Sequence, residues 1–453
     1  MVYLCSMEKS FEELKVGRSL LKALEEIGFT EPTPVQELAI PVINSGLNVV
    51  GIAQTGTGKT AAYLLPLLTR LVKAEGKEPR CIVLVPTREL SVQVGEDIAE
   101  LTTFSDLRHV SVYGGVGWTR HAALLEPGTD ILVATPGRLW DLYQANAVSF
   151  RKVRFLVIDE ADRMLDMGFM PQLEQLFEII PPRRQNLLFS ATFPEKVEKM
   201  AEEFLDHFER VEVAPSATPV ELVKQVVYRV PNFETKLILI RHLLEDGADF
   251  NRVILFVKTK SSADAVYKVI RRKTEGEKRI MHSDKGQSTR LNAIRAFKEG
   301  EVRILITTDL SARGLDATLV SHVINFDIPP HYEDYIHRIG RTARAGHRGT
   351  AITLVTPDEV WHLKHIEKMI RMEIPVAQIP EGVTVTETAF EERQVQKREV
   401  DRQRKVDDPT FKGAFHMKKR RPGMSSKKSP KSAKSPKSAQ SPKSKPAGRG
   451  RKG

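Results

Sequence analysis

Two short segments carry the residues best suited to phosphate chemistry. Residues 53–60 read AQTGTGKT, between the apolar run VVGIA and a run with helical periodicity. In the phosphate-loop pattern G-x-x-x-x-G-K-[ST], backbone N–H groups face the phosphates, the lysine meets the β/γ charge and the hydroxyl binds Mg²⁺. Lys59 and Thr60 stand at those last two positions, and Ala53 stands where the pattern has glycine. The strand, turn and helix context predicts a nucleotide phosphate site.

The second segment is FLVIDEAD at residues 155–162, where Asp159 and Glu160 end an apolar run. A carboxylate at the end of a strand beside a phosphate loop can hold Mg²⁺ through water, and a neighbouring glutamate can orient or deprotonate the attacking water. Taken alone, the two carboxylates could equally cap the start of a helix, where negative charge is favoured.

Short apolar segments rich in Val, Ile and Leu alternate with helix-period segments from residue 49 onward, a pattern typical of parallel α/β sheets. Strands are predicted at 49–53, 81–85, 109–113, 131–135, 155–159, 186–190 and 210–214, then at 225–230, 252–257, 278–282, 302–308, 322–327 and 350–356. APSATPVEL at 214–222 interrupts the series as a linker. The predicted division is 1–213, a linker at 214–223, 224–385, and a charged segment with a tail at 386–453.

Composition excludes several classes of protein. The length of 453 residues is about three times the ~150-residue prior for one domain. No apolar run approaches the roughly 18 residues of a membrane span, and the N-terminus lacks the basic and apolar regions of a signal peptide. The two cysteines form no disulfide framework or zinc motif, which favours a reducing cytosol. Met7 could be the true start.

The positive charge lies in the C-terminal tail. Residues 416–453 contain 14 Lys or Arg and no acidic residue, so the other residues hold 69 − 14 = 55 basic against 58 acidic groups. Ser-Pro-Lys recurs at 429, 435 and 441. Such a composition predicts a disordered arm that holds RNA non-specifically and could also contact DNA. It leaves open a second function, ATP-independent nucleic-acid annealing through the tail.

The combination of motifs is more specific than any one of them. AQTGTGKT, PTREL (86–90), TPGR (135–138), DEAD (159–162), SAT (190–192) and HRIGRTAR (337–344) occur in this order. This set resembles the DEAD-box RNA helicases of superfamily 2 over about residues 10–356. The chain is also similar to the bacterial RhlE-type branch, on weaker grounds. These are a short N-terminus and a basic tail after GAFHMKK. The resemblance implies two RecA-like domains in tandem, with ATP and Mg²⁺ as cofactors.

For the nucleotide, the resemblance implies a Q motif at GFTEPTPVQ, residues 28–36. The amide of Gln36 would select adenine, supported by Phe11 and Phe29. Taken alone, either phenylalanine is better explained as core packing. The implied ATP-binding residues are Phe11, Phe29, Gln36, Ala53, Gln54, Thr55, Gly56, Thr57, Gly58, Lys59, Thr60 and Asp316.

Catalysis, by the same resemblance, needs both domains. Arg341 and Arg344 match the arginine fingers of the family, beside Lys59, Asp159 and Glu160 as catalytic residues. Thr60 and Asp159 would hold Mg²⁺, the aspartate through water. Coupling between the nucleotide and RNA sites is implied for Asp162, Ser190, Thr192 and His337. Ser190 and Thr192, taken alone, could simply cap a helix.

RNA is the implied partner, bound along its sugar-phosphate backbone across both domains. The implied contacts are Pro86, Thr87, Arg88, Gly115, Thr135, Gly137 and Arg138 in the first half, and Gln287, Arg290, Thr308, Asp309, Arg313 and Gly314 in the second. In HSDKGQSTR, Ser283 and Gly286 depart from the family pattern. The sequence thus predicts a cytoplasmic, monomeric ATP-dependent RNA helicase that separates strands locally or remodels ribonucleoprotein in ribosome assembly or RNA decay.

Overall fold

The computed structural model describes residues 9–54, 56–213, 223–246, 250–309, 320–342, 349–408 and 410–411. The predicted linker at 214–222 and the predicted disordered tail from 412 onward lie outside these residues. The described residues up to Val400 form one compact unit, and the few described residues from Asp401 onward belong to a second. Within the larger unit, two all-parallel sheets of seven strands follow each other along the chain. This confirms the predicted fold class of two parallel α/β sheets in tandem.

The first sheet has the spatial order β3-β4-β2-β5-β6-β1-β7. Its strands are β1 Asn48–Ile52, β2 Cys81–Leu84, β3 His109–Val112, β4 Ile131–Ala134, β5 Phe155–Ile158, β6 Gln185–Ser190 and β7 Phe208–Glu212. The helices before and between these strands are α1 Arg18–Glu26, α2 Pro34–Asn44, α3 Lys59–Leu71, α4 Arg88–Leu101, α5 Trp118–Leu125, α6 Pro136–Gln144, α7 Ala161–Asp166, α8 Met170–Ile179 and α9 Glu195–Phe204.

The second sheet has the order β10-β11-β9-β12-β13-β8-β14. Its strands are β8 Val223–Arg229, β9 Val253–Val257, β10 Glu277–Met281, β11 Val302–Thr308, β12 His322–Asn325, β13 Gly349–Val355 and β14 Val376–Ala377. The helices of this half are α10 Phe233–Asp246, α11 Lys260–Ile270, α12 Gln287–Lys298, α13 Glu333–Ile339, α14 Val360–Ile370 and α15 Phe390–Asp407.

Burial explains why the strands could be recognised in the sequence. The inner strands β2, β4, β5 and β6 are buried at every residue, because helices cover both faces of the sheet. The thirteen predicted strands are all present, displaced by at most two residues at either end. The two-residue β14 was not predicted, because it is too short to show a periodic pattern.

Each sheet has hydrophobic clusters of its own. Helices α1 to α4 cover one face of the first sheet, and their apolar residues pack with Val83, Val133 and Val157. The opposite face packs against residues of α6, α8 and α9, such as Leu139, Leu173 and Val197. The strands point alternate side chains into these two clusters, so both faces of the sheet are packed. This packing holds the ends of the strands in fixed positions. Among the described residues, no helix has both the length and the apolar character needed to cross a bilayer.

The charged segment at 391–408, for which the sequence allowed a helix, lies almost wholly in α15. Its first half contacts the start of α10. The Phe233 N–H donates to Glu392 Oε1 at 2.8 Å, and Gln396 Nε2 donates to Pro231 O at 3.0 Å. Asn232 directly precedes α10, and its Nδ2 donates to Thr386 O, shortly before α15, at 2.8 Å. Residues 386–396 are therefore part of the packing around the second sheet.

Candidate active site

The loop between β1 and α3 has the backbone that a phosphate loop requires. Gly56 and Gly58 have φ of +83° and +89°, in the left-handed region that favours glycine. A Cβ on Gly58 would lie 2.4 Å from Gln36 Nε2, so no larger residue fits. Ala53 still pairs with the neighbouring strand, its N–H donating to Ser190 O at 3.1 Å. The loop turns only after Ala53, and an alanine therefore fits where the pattern has glycine. Thr55 lies outside the described residues.

Lys59 is the first residue of α3 and is buried. Its Nζ donates to Ala53 O at 2.7 Å, and it forms no ion pair with a carboxylate among the described residues. Burial lowers the pKa of Lys59, although Asp159, Asp162 and Glu160 act in the opposite direction. A buried ammonium group without a paired carboxylate is suited to receive an anion.

Gln36 links the N-terminus of α2 to the phosphate loop. Its Oε1 accepts from the Thr33 N–H at 3.0 Å, and its Nε2 donates to Gly58 O at 3.1 Å. Each end of the amide keeps one further hydrogen-bonding position. The two phenylalanines expected beside it differ: Phe11 is buried in the core, whereas Phe29 is 49% exposed. Phe11 is therefore a core residue, and Phe29 offers an exposed aromatic face.

The segment after β5 brings two carboxylates to the same strand edge as the phosphate loop. Asp159 Oδ1 accepts from the Glu160 N–H at 2.9 Å, and its Oδ2 accepts from the Tyr63 hydroxyl at 2.9 Å. Burial raises the pKa of Asp159 to about 6, with Lys59 opposing the shift. Glu160 has φ of +53°, a strained conformation for a residue with a side chain. Its Oε2 is buried and has no hydrogen-bond partner among the described residues.

These groups fit Mg²⁺, which prefers oxygen ligands and keeps several waters. The Thr60 hydroxyl, the Asp159 carboxylate and the unsatisfied Glu160 Oε2 supply oxygen at one strand edge. No group of three or more His, Cys, Asp or Glu residues able to hold a metal occurs in the described ranges. A magnesium ion here would depend on few protein ligands and on the phosphates of the nucleotide.

Asp162 joins the ends of two neighbouring strands. Its Oδ2 accepts from the Thr192 N–H at 3.0 Å and from the Thr192 hydroxyl at 2.8 Å, and its own N–H donates to Ser190 Oγ at 3.3 Å. Burial alone would raise the pKa of Asp162, but His337, Lys59 and the Thr192 hydrogen bond outweigh it and hold that pKa below its usual value.

Residues of the second sheet reach this edge through α13. The Arg163 guanidinium lies 3.2 Å from Asp334 Oδ1, and both side chains are buried. His337 Nδ1 lies 3.7 Å from the same carboxylate. Burial lowers the pKa of His337, and Arg163 acts in the same direction. Arg341 is buried beside this group, lining a small cleft with Arg163, Asp334 and His337. Arg344 and Asp316 lie outside the described residues.

Asp309, expected to contact RNA, has a protein partner. Arg338 Nε and Nη2 donate to its two carboxylate oxygens at 2.6 and 2.7 Å. Arg338 also donates to Asn325 Oδ1 and to Asp327 O, which fixes α13 to the ends of β11 and β12. Thr308, another expected RNA contact, is the last residue of β11 and directly precedes Asp309. Arg313 and Gly314 lie outside the described residues.

A second set of contacts joins α4 of the first sheet to α12 of the second. Arg290 Nη2 lies 2.7 Å from Glu89 Oε1, and Gln287 Nε2 donates to the same oxygen at 3.3 Å. Arg88 Nη1 donates to Gln287 Oε1 at 3.4 Å. Gln287 and Arg290, expected as RNA contacts, therefore also connect the two halves of the protein.

The other expected RNA contacts lie at the ends of β2, β3 and β4. Thr87 caps α4 by accepting from the Leu90 N–H at 3.2 Å, one residue after the buried Pro86. Arg138 is buried, with its Nη1 3.1 Å from His121 Nδ1. Gly115 has φ of +82° and leaves room for Arg88, because a Cβ there would lie 2.0 Å from Arg88 Nη1. Thr135 and Gly137 stand at the N-terminal end of α6, where a helix offers N–H groups to an anion.

Sequence reasoning did not single out several residues of this site. They are Tyr63, Glu89, Arg163, Asp334 and Arg338, and each makes one of the contacts described above. All five lie within a recognised motif or no more than three residues from one. Their closeness to the motifs was the available signal, but their partners lie far along the chain and depend on the fold.

Two family models match the chain. The model described as DEAD/DEAH box helicase matches residues 33–200, and the model described as Helicase conserved C-terminal domain matches residues 235–346. Together they include the loop after β1, the DEAD segment and the HRIGR segment.

Curated relatives are similar over most of their length. The DEAD-box ATP-dependent RNA helicase RhpA of Helicobacter pylori is 39% identical over 371 residues, covering 82% of this chain and 74% of that protein. The DEAD-box ATP-dependent RNA helicase CshA of Geobacillus kaustophilus is 39% identical over 371 residues, covering 81% of this chain and 79% of that protein.

Solved structures agree with the fold. Dbp5 of S. cerevisiae bound to RNA and ADP BeF3 is 30% identical, covers 86% of this chain and 99% of its own, and has a TM-score of 0.72. Mss116p bound to ssRNA and AMP-PNP is 25% identical, with a TM-score of 0.76 over 90% of this chain and 88% of its own. The two parallel sheets are thus RecA-like, as expected.

Proposed function

Because this chain belongs to the DEAD-box family of ATP-dependent RNA helicases, we propose that it hydrolyses ATP only when its two RecA-like domains close together on RNA. The chain is an ATP hydrolase and an RNA helicase. The observation that carries the coupling is the Arg163–Asp334 ion pair, which places His337 and Arg341 of one half at the DEAD segment of the other. The domain limits of the proposal are 1–213 and 224–385.

The nucleotide site is formed by the loop after β1. We assign phosphate binding to the loop N–H groups and to Lys59, whose ammonium group has no carboxylate partner among the described residues. Gln36 would read the adenine edge with the positions its amide keeps, and the exposed ring of Phe29 would lie against the base. ATP is therefore the proposed substrate.

Hydrolysis requires a positioned water and positive charge near the γ-phosphate. Mg²⁺, when bound, neutralises charge on the phosphate oxygens. Glu160 would orient the water or accept its proton through the buried Oε2, while Thr60 and, through water, Asp159 would hold the metal. Arg341 and Arg344 supply the transition-state charge from the second domain, so hydrolysis requires closure.

Coupling follows from the chain of contacts through Asp162. Thr192 holds one oxygen of this carboxylate, and His337 from the second domain favours its charged form. A change at the DEAD segment would thus pass to SAT on one side and to α13 on the other. We assign coupling to Asp162, Ser190, Thr192 and His337.

RNA would lie along the strand ends that carry the predicted contacts. Hydroxyl groups, arginines and N–H groups bind phosphates without reading sequence, and contacts to 2′-OH groups distinguish RNA from DNA. Gln287 and Arg290 would serve twice, since they also contact Arg88 and Glu89. On this proposal, the closed state bends one strand of a short duplex and releases the other.

The cellular role is the least constrained part of the proposal. We propose local unwinding or ribonucleoprotein remodelling by a cytoplasmic monomer, in ribosome assembly or RNA decay. We propose placement in the RhlE-type branch on the basic tail.

The decisive experiment is steady-state ATP hydrolysis with and without single-stranded RNA, with DNA of the same sequence as a second ligand. We expect strong stimulation by RNA, little by DNA, and loss of turnover in Lys59→Ala and Arg341→Ala. Lys199→Ala is the matched control, since among the described residues Lys199 pairs with Glu195 alone, on an exposed helix face, and it should retain full activity. Turnover that RNA does not change would refute the coupling.

The alternative function, annealing without ATP, is favoured by the 14 basic residues in 416–453. It is separated from the first by ending the chain after residue 411, which keeps the contacts of residues 386–396. Annealing of complementary strands should then disappear if the tail carries it, whereas RNA-stimulated hydrolysis should remain if the two domains carry the main activity.

A further inference from the structure

Tyr63 is a buried tyrosine whose hydroxyl group faces the magnesium side of the nucleotide site. It lies on α3, four residues after Lys59, and its side chain is 0% exposed. The hydroxyl donates to Asp159 Oδ2 at 2.9 Å. The Thr60 side chain, one helical turn earlier, is a further hydrogen-bonding neighbour of the same hydroxyl.

Packing alone would not require this hydroxyl. The ring of Tyr63 lies 5.3 Å from that of Phe189, measured between centroids, and Phe189 fills the space left by Gly51. A phenylalanine would make the same ring contacts. A buried hydroxyl costs free energy unless it is hydrogen-bonded, so its presence points to the groups it contacts.

Those groups are the two proposed protein contacts of Mg²⁺. Asp159 Oδ1 is held by the Glu160 N–H, and Oδ2 is held by Tyr63, so both oxygens are fixed and the carboxylate cannot rotate. If the Thr60 hydroxyl donates to Tyr63, its oxygen lone pairs remain available for the metal. One tyrosine oxygen would thus set the direction of both ligands.

We infer that Tyr63 is a positioning residue, which orients Asp159 and Thr60 toward Mg²⁺ and thereby strengthens binding of the magnesium form of the nucleotide. The inference rests on the proposed nucleotide site and concerns how that site discriminates metal-bound from metal-free nucleotide. Tyr63 is fully buried, so its hydroxyl would act through the side chains it contacts. Its effect should therefore appear in the metal dependence of binding.

The test is Tyr63→Phe in the full chain, with binding of a fluorescent ADP measured in Mg²⁺ and in EDTA. The enhancement of affinity by Mg²⁺ should fall by roughly tenfold, the value of one hydrogen bond to a charged group at the low end of its range. Affinity in EDTA should change by less than about twofold, because the loop and Lys59 are unaltered.

Two further variants separate positioning from stability. Tyr335→Phe is the matched control, because it also removes a buried hydroxyl, one that donates to Gln225 Oε1 at 2.8 Å in the second half. It should leave the Mg²⁺ enhancement unchanged. In an Asp159→Asn background, the effect of Tyr63→Phe on that enhancement should be smaller than in the unaltered protein, since the contact with the carboxylate is already altered.

The outcomes distinguish the inference from the proposal on which it rests. An unchanged Mg²⁺ enhancement in Tyr63→Phe, or an equal loss of affinity in Mg²⁺ and in EDTA, would overturn the inference. Failure of the unaltered protein to bind nucleotide in either condition would instead overturn the proposed site.

Discussion

The two sheets share one strand order, but a buried lysine at the same position has different partners in each. Counted from its own first strand, each sheet runs 3-4-2-5-6-1-7. In each, the helix after the first strand carries a buried lysine, and an aspartate follows the fifth strand. These are Lys59 and Asp159 in the first half, and Lys236 and Asp327 in the second.

The partners of the two lysines differ. Lys236 is 3% exposed in its side chain, and its Nζ lies 2.7 Å from Glu359 Oε2 and 3.2 Å from Asp327 Oδ1. Although burial acts against it, these carboxylates raise the pKa of Lys236. Lys59 has only a carbonyl contact among its described hydrogen bonds, and burial lowers its pKa. A lysine paired by the protein stabilises the fold, whereas an unpaired one can bind a phosphate.

The helix N-termini show the same contrast. The first turn of α10 is capped by Asn232, whose Oδ1 accepts from the Thr235 N–H at 2.8 Å, and Glu392 accepts from the Phe233 N–H. In the second half the protein thus supplies its own anion at the place where the first half has an open glycine-rich loop. Of these two helix N-termini, the comparison indicates that the start of α3, and not the start of α10, is open to a nucleotide phosphate.

The largest expected effect concerns Lys236. Lys236→Ala should lower the free energy of unfolding by about 3–5 kcal/mol, because it removes a buried cation from two carboxylates that are themselves largely shielded from water. Chemical denaturation measures this change. Adding Glu359→Gln should recover part of the loss, and a change within 1 kcal/mol of zero would contradict the structural role.

Lys59→Ala should instead lower the rate of ATP hydrolysis without lowering the free energy of unfolding. We expect turnover to fall roughly 10²- to 10³-fold, as for removal of one preorganised charge in an active site. The free energy of unfolding should stay equal or rise, since an unpaired buried ammonium group is removed. Steady-state hydrolysis and denaturation on the same samples test both parts, and a loss of stability like that of Lys236→Ala would remove the contrast.

The ion pair that joins the halves offers a third test. Arg163→Asp and Asp334→Arg should each reduce kcat/KM for RNA-stimulated hydrolysis by about tenfold, and the exchanged pair should recover part of it. The exposed pair of Arg295 and Glu299 provides the control, because surface ion pairs contribute little free energy. Arg295→Ala should therefore have the same kcat/KM as the unaltered protein. No recovery in the exchanged pair would argue against a direct contact during turnover.

The smallest expected effect is on alkaline stability without nucleotide. Between the lowered pKa of folded Lys59 and its ordinary value of 10.5, the unfolded chain binds more protons, so this group adds stability as pH rises. Above 10.5, folded Lys236 keeps a proton that the unfolded chain loses, so stability falls through its raised pKa. The test is the melting temperature of the unaltered protein minus that of Lys59→Met or Lys236→Met, measured at a series of alkaline pH values. This difference should rise with pH for Lys59→Met and fall with pH for Lys236→Met.

The fold could be predicted from the sequence because buried parallel strands are continuous apolar runs of Val, Ile and Leu. The phosphate loop could also be located, since its glycines and its lysine are consecutive. The contact of Asp162 with Thr192 joins residues thirty positions apart and depends on β5 and β6 being neighbours.

Partner choice was the part that sequence could not provide. Asp309 and Arg290 have the residue types that bind RNA, yet in the structure each meets an oppositely charged side chain, Arg338 and Glu89. The equivalence of Lys59 and Lys236 was also hidden, because the two loops share no motif and only the strand order relates them. The residue roles in RNA binding remain predictions.

The described ion pairs between the halves have a consequence for the open state. Arg163 with Asp334 and Arg290 with Glu89 are charged groups, which water hydrates well when they separate. Separation at these two contacts would expose charged side chains, and it is apolar patches that promote self-association. On the proposed mechanism, these two contacts would therefore leave groups that stay hydrated each time they separate, which disfavours aggregation at those positions.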